Sequence, residues 1–396
     1  NRLIGVNGDV LSRCAAGRRA GLHAQGYPLP LAPGSRRRGR LRRSGGRSRR
    51  PAIASAGRMQ APSPRITVEA LQNVQGTSDD AAVSKLSACQ RGYYEDDFIH
   101  IFVGKEAKRS PIINRGYYAR VAAMDMVIDR FMQGTDGRGQ IVALGAGSDT
   151  TFFRLSKAGT LPDKYVELDL RGVVLKKLSV LLTHDEVREH AAVSREAVLA
   201  TAQELETAVL QSDKYALACV DLREVDDFQR TLERVEGFDF AKPTLFISEC
   251  VLCYVEPEES GRLLRWIRDK FAAPAFVEYT QILPNDPFGA TMLGHFRTRG
   301  CPLLSIQAFP DLDAQRKRFA DLGWSEAEVY DMNDIYYKCI DKEDLKRAEK
   351  LEIFDEFEEW HMMQGHYCIV LAKHDTTAGK LLSKVKLLLD SAEAAK

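Results

Sequence analysis

Residues 140–154, Gln-Ile-Val-Ala-Leu-Gly-Ala-Gly-Ser-Asp-Thr-Thr-Phe-Phe-Arg, decide the fold of this chain. The apolar run that ends at Leu144 predicts a strand, and the Gly-Ala-Gly that follows predicts a tight turn. Ser148-Asp149-Thr150 is typical of a helix start, because short polar side chains accept hydrogen bonds from unpaired backbone N–H groups. A strand, a glycine turn and a helix N-terminus form the first unit of a doubly wound α/β sheet, whose ligands lie beyond the carboxyl ends of the strands.

The glycine turn and a later acid indicate a nucleotide-type cofactor. Gly145 and Gly147 would let a ligand approach the backbone. Asp169 ends a second predicted strand about twenty residues later, where its carboxylate would accept hydrogen bonds from a ribose diol. The third glycine of a dinucleotide motif is replaced by Thr150, and no Walker sequence follows. The pattern therefore favours S-adenosylmethionine as the cofactor. The alternatives are that the glycines form an ordinary tight turn and that Asp169 is a helix cap.

The total charge of +1 hides two unequal parts of the chain. Residues 1–58 contain fourteen Arg, no Lys and a single acid, Asp9, which gives this segment a charge of about +13. The remaining chain has 42 basic and 54 acidic residues, a charge of −12. The segment is also rich in Gly, Pro and Ser, so we expect it to be disordered. An upstream or artificial extension is favoured over a transit peptide or a functional basic arm.

Several classes of protein are disfavoured by the composition. No stretch reaches the ~18 apolar residues that span a bilayer, so we expect no membrane partner. The eight Cys are scattered, which is typical of a reducing compartment, and we expect a cytoplasmic protein. Cys250 and Cys253 form a lone CxxC within an apolar run, for which packing is favoured over redox chemistry or zinc. We predict no metal and no nucleic-acid partner.

The pattern after residue 76 predicts alternating helices and strands. Helices are expected at 78–90, 95–103 and 115–133, before the first strand, where they would cover one end of the sheet as a lid. Residues 183–212 are predicted to be a longer helical connection that could hold an insertion. The predicted domains are an extension over 1–75, one catalytic domain over 76–373 and a tail over 374–396, read as a loop followed by an exposed helix.

Two further strand ends carry candidate site residues. Asp221 follows the third apolar strand and could accept from an adenine amino group while Leu222 packs on the ring; a helix cap is an equal alternative. Glu249 follows the fourth strand within an apolar run. Because a buried unpaired carboxylate is costly, Glu249 should be paired or should face a ligand.

The separated motifs together resemble the leucine carboxyl methyltransferases, class I enzymes that methylate the C-terminal leucine carboxylate of type 2A protein phosphatase catalytic subunits. The resemblance covers about residues 78–372 and rests on Asn114-Arg-Gly-Tyr-Tyr-Ala-Arg120, Leu144-Gly-Ala-Gly-Ser-Asp-Thr-Thr-Phe-Phe-Arg-Leu155, Glu167-Leu-Asp169, Asp221-Leu-Arg223 and Glu249-Cys-Val-Leu-Cys-Tyr254. It implies a Rossmann-like class I S-adenosylmethionine-dependent fold with a mostly parallel seven-stranded sheet and an N-terminal helical lid. The family usually has a bulky residue where Ser148 stands.

The resemblance also implies a role for individual residues. Those expected to bind the cofactor are Lys85 and Arg120 at its methionine end, Gly145 and Gly147 at the turn, Asp169 at the ribose, Asp221 and Leu222 at the adenine, and Glu249. Without the resemblance, Lys85 would be assigned to a solvated helix face and Arg120 to a surface or ion-paired arginine.

A terminal carboxylate is ionised at neutral pH, since its pKa is about 3.5, so the reaction needs no general base. Arg120 is the best candidate to orient it, because its planar guanidinium binds a carboxylate bidentately. Tyr254, Tyr117 and Tyr118 could wall the pocket, although core packing explains them equally well. We therefore assign Arg120 and Tyr254 to the catalytic site.

The expected product is a leucine methyl ester on the phosphatase catalytic subunit, with S-adenosylhomocysteine as the by-product, made by a monomeric enzyme that thereby regulates phosphatase holoenzyme assembly. One alternative is a related enzyme that methylates a carboxylate on a modified tRNA base or a small molecule. The others are a nicotinamide-dependent dehydrogenase and a catalytically idle binding protein with this fold.

Overall fold

The computed structural model of the chain describes residues 68–388, with side chains from residue 73 onward. The Arg-rich segment of residues 1–58 and the last part of the tail, residues 389–396, lie outside the described residues. The strands in the described range are β1 (Gln140–Leu144), β2 (Lys164–Asp169), β3 (Val209–Gln211), β4 (Tyr215–Cys219), β5 (Thr244–Glu249), β6 (Pro274–Gln281), β7 (Glu326–Asp331) and β8 (Tyr367–Lys373).

These strands form one sheet in the order β3-β4-β2-β1-β5-β6-β8-β7. The five strands from β4 to β6 are mutually parallel, whereas β3 and β8 run antiparallel to the strands beside them, and β7 is antiparallel to β8. The predicted α/β class with a mostly parallel sheet is confirmed. The predicted number of seven strands is wrong, because β3 adds an eighth, edge strand of three residues that is too short to give a readable pattern.

Helices cover both faces of the sheet and one of its ends. They are α1 (Val68–Gln90), α2 (Ile99–Phe102), α3 (Pro111–Gly134), α4 (Thr151–Ala158), α5 (Arg171–Thr183), α6 (Asp185–Ala191), α7 (Arg195–Gln203), α8 (Val225–Glu233), α9 (Pro257–Lys270), α10 (Pro287–Thr298), α11 (Leu312–Asp321), α12 (Met332–Asp334), α13 (Lys342–Ala348) and α14 (Phe357–Gln364), with a 3-10 turn at Leu252–Tyr254 and a π turn at Ile335–Cys339.

Strand β1 is buried along its whole length. Ile141 and Ala143 pack into one core, and Val142 and Leu144 pack into the core on the opposite face of the sheet. A strand between two layers of helices has no polar face, which explains why its sequence is continuously apolar rather than alternating. The chain passes from β1 to β2 and β4 on one side, and then returns to β5 on the other side of β1. This reversal opens a crevice at the carboxyl ends of β1 and β5, where such folds bind ligands.

The lid helices α1 to α3 precede β1, as predicted. Helix α1 already includes Val68, so the expected helix start at Ser78-Asp79-Asp80 is wrong. These polar residues lie within the helix and bind other elements instead: Asp79 pairs with Lys176 of α5 at 2.6 Å, and Ser78 Oγ accepts a hydrogen bond from the Ser148 N–H at 3.1 Å. The lid is thus attached to the glycine turn itself.

Two other segments differ from the expectation. Residues 183–212 contain the short helices α6 and α7 and then β3, rather than a long helical connection. In the described part of the tail, residues 374–388 form turns without a helix, and Leu382, Val385 and Leu387 are buried. Arg130 of α3 donates hydrogen bonds of 2.6 Å to the carbonyl groups of Lys386 and Leu387. The predicted exposed helix is therefore absent from this part, which packs against the lid.

None of the helices in the described part of the chain combines the length and the apolar character that crossing a membrane requires.

Candidate active site

A cavity lies at the carboxyl ends of β1, β2, β4 and β5, under the first lid helix. Its wall includes all nine predicted site residues: Lys85, Arg120, Gly145, Gly147, Asp169, Asp221, Leu222, Glu249 and Tyr254. The space open to the centres of water molecules is about 160 Å³. Because one water needs roughly 10–15 Å³ of such space, the cavity has room for roughly 11–16 waters and is not filled by side chains.

The glycine turn has a backbone that other residues adopt poorly. Gly145 and Gly147 have φ angles of +63° and +56°. A Cβ atom at position 145 would lie 2.6 Å from a methyl group of Val251, and one at position 147 would overlap Ser78 Oγ. Both glycines are therefore required by the turn and by the close approach of its neighbours, which keeps the cavity floor free of side chains.

Asp169, at the end of β2, faces this turn. Its two carboxylate oxygens accept hydrogen bonds of 2.6 Å from the backbone N–H groups of Gly147 and Leu170. It does not cap α5, whose N-cap position is Leu170. Burial raises the pKa of Asp169 to about 6, although the two hydrogen bonds oppose the shift. Each oxygen keeps a free lone pair, so the carboxylate has the geometry to accept from two neighbouring hydroxyl groups.

Asp221 and Leu222 lie at the next strand end, beyond β4. Asp221 accepts hydrogen bonds from the backbone N–H of Arg223 at 3.0 Å and from its guanidinium, with Nε at 2.9 Å. Burial alone would raise the pKa of Asp221, but the bonds from Arg223 outweigh it and the pKa is lowered. Asp221 does not cap α8, because Glu224 occupies the N-cap position. Arg223 was not among the predicted site residues, and it fixes the carboxylate beside the apolar Leu222.

The opposite end of the cavity contains a charged cluster. Lys85 Nζ lies 3.1 Å from Glu249 Oε1 and 3.3 Å from Asp149 Oδ2, and Arg120 Nε donates to Glu249 Oε1. Burial alone would raise the pKa of Glu249, but the charges of Arg120 and Lys85 lower it below its usual range. Burial alone would lower the pKa of Lys85, but Glu249 and Asp149 raise it. Two cations and two anions thus stay ionised in a site of low dielectric, and Glu249 is paired as expected.

Asp149 was predicted only as part of a helix start. Its Oδ1 does accept a hydrogen bond of 2.8 Å from the backbone N–H of Thr151, while Oδ2 pairs with Lys85. Burial would raise its pKa, but Lys85, Lys177 and Arg154 hold the pKa of this carboxyl well below its usual range. Asp149 thus accepts from the first N–H of α4, although Thr150 is the N-cap residue of this helix, and it also belongs to the charged cluster. The signal in the sequence is an acid two residues after Gly147 of the glycine turn.

The loop after β5 closes the cavity from the other side. Cys250 has a φ of +57°, and its N–H donates to the Tyr279 carbonyl at 2.8 Å. Both thiols of the CxxC, Cys250 and Cys253, are free. Burial raises the pKa of Cys250 to about 11, so this thiol is protonated at neutral pH.

Among the described residues, no group of three or more His, Cys, Asp or Glu side chains is arranged to hold a metal ion.

The three tyrosines expected to wall the pocket occupy different places. Tyr254 lines the cavity and packs against the ring of Phe296. Tyr117 lies outside this cavity, beside Arg120, with the guanidinium carbon 5.4 Å from the centre of its ring. Tyr118 donates a hydrogen bond of 2.7 Å to Asp344 in a separate groove. Of the three tyrosines, neither Tyr117 nor Tyr118 walls the cofactor cavity, and because consecutive helical residues point about 100° apart these two face different grooves.

The cavity fits S-adenosylmethionine better than a dinucleotide or a nucleoside triphosphate. One end offers carboxylates for hydroxyl and amino donors, and the other offers paired charges of both signs, which suit an amino-acid group. In the part of the chain that the structure describes, the glycine turn is followed by Ser148 and Asp149 rather than by a cation for a diphosphate.

Comparison with known proteins gives a family. The family model for leucine carboxyl methyltransferase matches residues 72–268. A leucine carboxyl methyltransferase 1 homolog from Arabidopsis thaliana is 42% identical over 303 residues, which cover 76% of this chain and 89% of that protein. Leucine carboxyl methyltransferase 1 from Bos taurus is 35% identical, with 76% and 90% covered. A tRNA wybutosine-synthesizing protein 4 from Homo sapiens is 37% identical over 78% of this chain, but over only 45% of its own length.

Proposed function

The chain belongs to the leucine carboxyl methyltransferase family, and from this premise we propose that it methylates the C-terminal leucine carboxylate of a type 2A protein phosphatase catalytic subunit. As a member of this family it is an S-adenosylmethionine-dependent methyltransferase. We further propose that it acts in the cytoplasm as a monomer and that the ester it forms regulates phosphatase holoenzyme assembly. The domain boundaries remain our proposal as well: a catalytic domain over 76–373 between an extension and a tail.

The residues on the cavity wall suggest how the cofactor is held. Asp169 would accept hydrogen bonds from the ribose hydroxyls, and Asp221, fixed by Arg223, would accept from the adenine amino group while Leu222 packs on its ring. Lys85 and Arg120 would bind the carboxylate of the methionine end, and Glu249 its ammonium group. Gly145 and Gly147 would leave room for the chain that joins the two ends.

Bound S-adenosylmethionine supplies a methyl group on a positively charged sulfur. This methyl group would be transferred to an oxygen of the substrate carboxylate that Arg120 orients, and the electron pair of the broken S–CH₃ bond would stay on sulfur as the thioether of S-adenosylhomocysteine. No proton is transferred, because the carboxylate is already ionised at neutral pH. The protein therefore has to orient this anion and remove its water, and such positioning contributes up to roughly 7–11 kcal/mol in favourable systems.

The observation that carries this proposal is the position of Arg120. Its side chain is 6% exposed, and the hydrogen bond to Glu249 uses Nε. An arginine has five N–H groups, so the two terminal nitrogens retain four for further carboxylates. Tyr254 would exclude water from the same side. The cavity thus offers a cation for orientation, and the nearby tyrosine and cysteine have raised pKa values that keep them protonated.

The proposal is tested by incubating the full chain with methyl-labelled cofactor and the purified phosphatase catalytic subunit. We expect label to appear as a base-labile ester, and to be absent when the terminal leucine is deleted. A matched arm contains bulk tRNA with its modified bases, because the human wybutosine relative is 37% identical. Label in tRNA and none in the phosphatase would overturn the proposal in favour of that alternative.

A further inference from the structure

A buried ion pair lies next to the glycine turn, outside the wall of the cofactor cavity. Lys177 of α5 donates a hydrogen bond of 2.7 Å to Glu167 Oε1 of β2, and the two side chains are 2% and 0% exposed. The other carboxylate oxygen of Glu167 accepts a hydrogen bond from the hydroxyl group of Tyr215 on β4. None of these three residues lines the cavity, so any effect that they have on the cofactor must pass through another residue.

Stability alone explains this ion pair poorly. Taking two ionised groups out of water costs free energy that their attraction rarely exceeds, so apolar side chains of similar volume often stabilise a core equally well or better. Burial raises the pKa of Glu167, against the opposing effects of Lys177 and Tyr215, which reflects this cost. What an ion pair offers and apolar packing does not is a fixed position for the groups that it binds.

Lys177 binds the backbone beside the cavity. Its ammonium group donates a hydrogen bond of 2.9 Å to the carbonyl group of Asp149, just beyond the glycine turn. The ring centres of Phe102 and Phe153 lie 5.6 Å and 5.8 Å from Nζ, where cation–π contacts confine the ammonium group further. Since Glu167 holds the same group from β2, the Asp149 carbonyl is bonded to a donor that has a fixed position.

Asp149 links the ion pair to the cofactor site. It lines the cavity, and its carboxylate lies 3.3 Å from Lys85 Nζ at the end that suits an amino-acid group. If the Asp149 backbone turned, the carboxylate would move and Lys85 would lose a partner. We propose that Lys177 and Glu167 are positioning residues, which hold Asp149 and through it Lys85 in place for the methionine end of the cofactor. This inference rests on the proposed function, in which S-adenosylmethionine is the cofactor.

An apolar replacement separates this role from a structural one. The variant Lys177→Met/Glu167→Leu/Tyr215→Phe removes the ion pair and the hydroxyl group together and fills the core with side chains of similar size. The ring at position 215 keeps its contact with Phe152, whose ring centre is 4.4 Å away. We expect a melting temperature within about 3 °C of the wild type, since a small change in stability shifts the midpoint by only a few degrees.

The affinity measurement is calorimetric titration of the full chain with two ligands. S-adenosylhomocysteine has the amino-acid end, and adenosine lacks it. We expect the triple variant to raise the Kd for S-adenosylhomocysteine about 10-fold and to leave that for adenosine within threefold, since residues that act through a network change binding by roughly 2–30-fold. In an Asp149→Ala background, the same substitutions should add less than about threefold, because the carboxylate through which they act is absent.

A second buried ion pair serves as the matched control. Arg318 and Glu278 are 2.9 Å apart, their side chains are 2% and 1% exposed, and neither lines the cavity. Arg318→Met/Glu278→Leu should leave both Kd values within threefold of the wild type, because this pair does not bind the glycine turn or Asp149.

The outcomes distinguish this inference from the proposed function. An unchanged Kd for S-adenosylhomocysteine in the folded triple variant would overturn the inference, and so would an equal loss of affinity for adenosine. If the triple variant does not fold, Lys177→Met/Glu167→Gln, which leaves a partner for the Tyr215 hydroxyl, decides by the same comparison. Failure of both variants to fold would make the pair structural and would also overturn the inference. No binding of S-adenosylhomocysteine by the wild type would overturn the cofactor assignment as well, whereas binding without ester formation on the phosphatase would overturn the proposed substrate alone.

Discussion

At one end of the cavity Glu249 is held by the cations Arg120 and Lys85, whereas at the other end Asp169 accepts hydrogen bonds from the backbone N–H groups of Gly147 and Leu170. Within residues 73–388, Asp169 makes no ion pair. The cations lower the pKa of Glu249 despite its burial, while burial raises the pKa of Asp169 to about 6. The first end is built for charged groups, and the second for neutral hydroxyl donors. A ligand with an amino acid at one end and a ribose at the other matches both.

The largest effect is expected from Arg120→Lys, which keeps the charge and removes the planar fork. Lysine is a point charge and cannot bind two oxygens in parallel, so we expect kcat/KM to fall at least about 100-fold, corresponding to the loss of charge-assisted hydrogen bonds of roughly 1.5–3 kcal/mol each. The measurement is transfer of labelled methyl to the phosphatase catalytic subunit.

Arg130→Lys is the matched control for this substitution. It lies on the same helix and binds the tail rather than the cavity, so its kcat/KM should stay near that of the wild type. If Arg120→Lys also retained activity within threefold, the planar guanidinium would not be needed at the charged end of the cavity. The two ends would then differ only in the charge that they carry.

Asp169→Ala should act on cofactor affinity. Loss of two hydrogen bonds to a carboxylate, each worth roughly 1.5–3 kcal/mol, predicts a Kd for S-adenosylhomocysteine that is higher by at least about 100-fold. Calorimetric titration measures this, and thermal unfolding checks that the fold is kept. Asp163→Ala, which removes a partly exposed acid just before β2, should leave the affinity unchanged. An unaltered Kd for Asp169→Ala would remove the ribose assignment.

The strands of the sheet other than β3, and most of the candidate site, could be predicted because both follow local rules. A buried parallel strand has a continuous apolar sequence, and residues at the carboxyl ends of such strands meet at one edge of the sheet. These two rules predicted that Gly145, Asp169, Asp221 and Glu249 lie close together. The same rule assigned Asp149 to a helix cap only, since the sequence does not show that Lys85 from a distant helix reaches its second oxygen.

The packing of α14 against α3 could not be predicted, because it brings together residues that are far apart in the chain. Nothing local in the sequence relates Met363 to Gly116. In the structure these two residues lie on the faces of α14 and α3 that contact each other. Helical geometry did hold one usable signal. Tyr117 and Arg120 are three residues apart and share a face, whereas Tyr118 points elsewhere, so a strict helical projection would have excluded Tyr118 from the site.

Between pH 7 and pH 5, the affinity for the cofactor should depend on pH only through Asp169, at the end of the cavity that suits neutral hydroxyl donors. Asp169 gains a proton as the pH falls through about 6, and the protonated group is a weaker acceptor for the ribose hydroxyls. If only the ionised form binds, the Kd for S-adenosylhomocysteine should rise about 10-fold between pH 7 and pH 5. Glu249 and Asp149 have lowered pKa values and stay ionised over this range.

Asp169→Asn should abolish this pH dependence, and a wild-type Kd that stays flat down to pH 5 would contradict the raised pKa. The cofactor-free protein gives an opposite check. Because the folded carboxyl group holds its proton more tightly than the unfolded one, its contribution to the free energy of unfolding is present at low pH and is lost as the pH rises from about 4 to about 6. The difference in stability between wild type and Asp169→Asn should follow this course.

The smallest effect is expected from Tyr254→Phe, although Tyr254 borders the reacting groups. Burial raises the pKa of its hydroxyl well above the usual value, so the phenol is neutral, and a carboxylate acceptor has no proton for it to remove. We expect kcat/KM within about threefold of the wild type, since an undisturbed ring keeps the apolar wall. Tyr254→Leu, which removes the ring and its contact with Phe296, should lower activity more. A loss above 100-fold for Tyr254→Phe, together with a changed pH profile, would mean that the hydroxyl group acts in the chemical step. The site would then do more than orient a carboxylate between the end for charged groups and the end for hydroxyl donors.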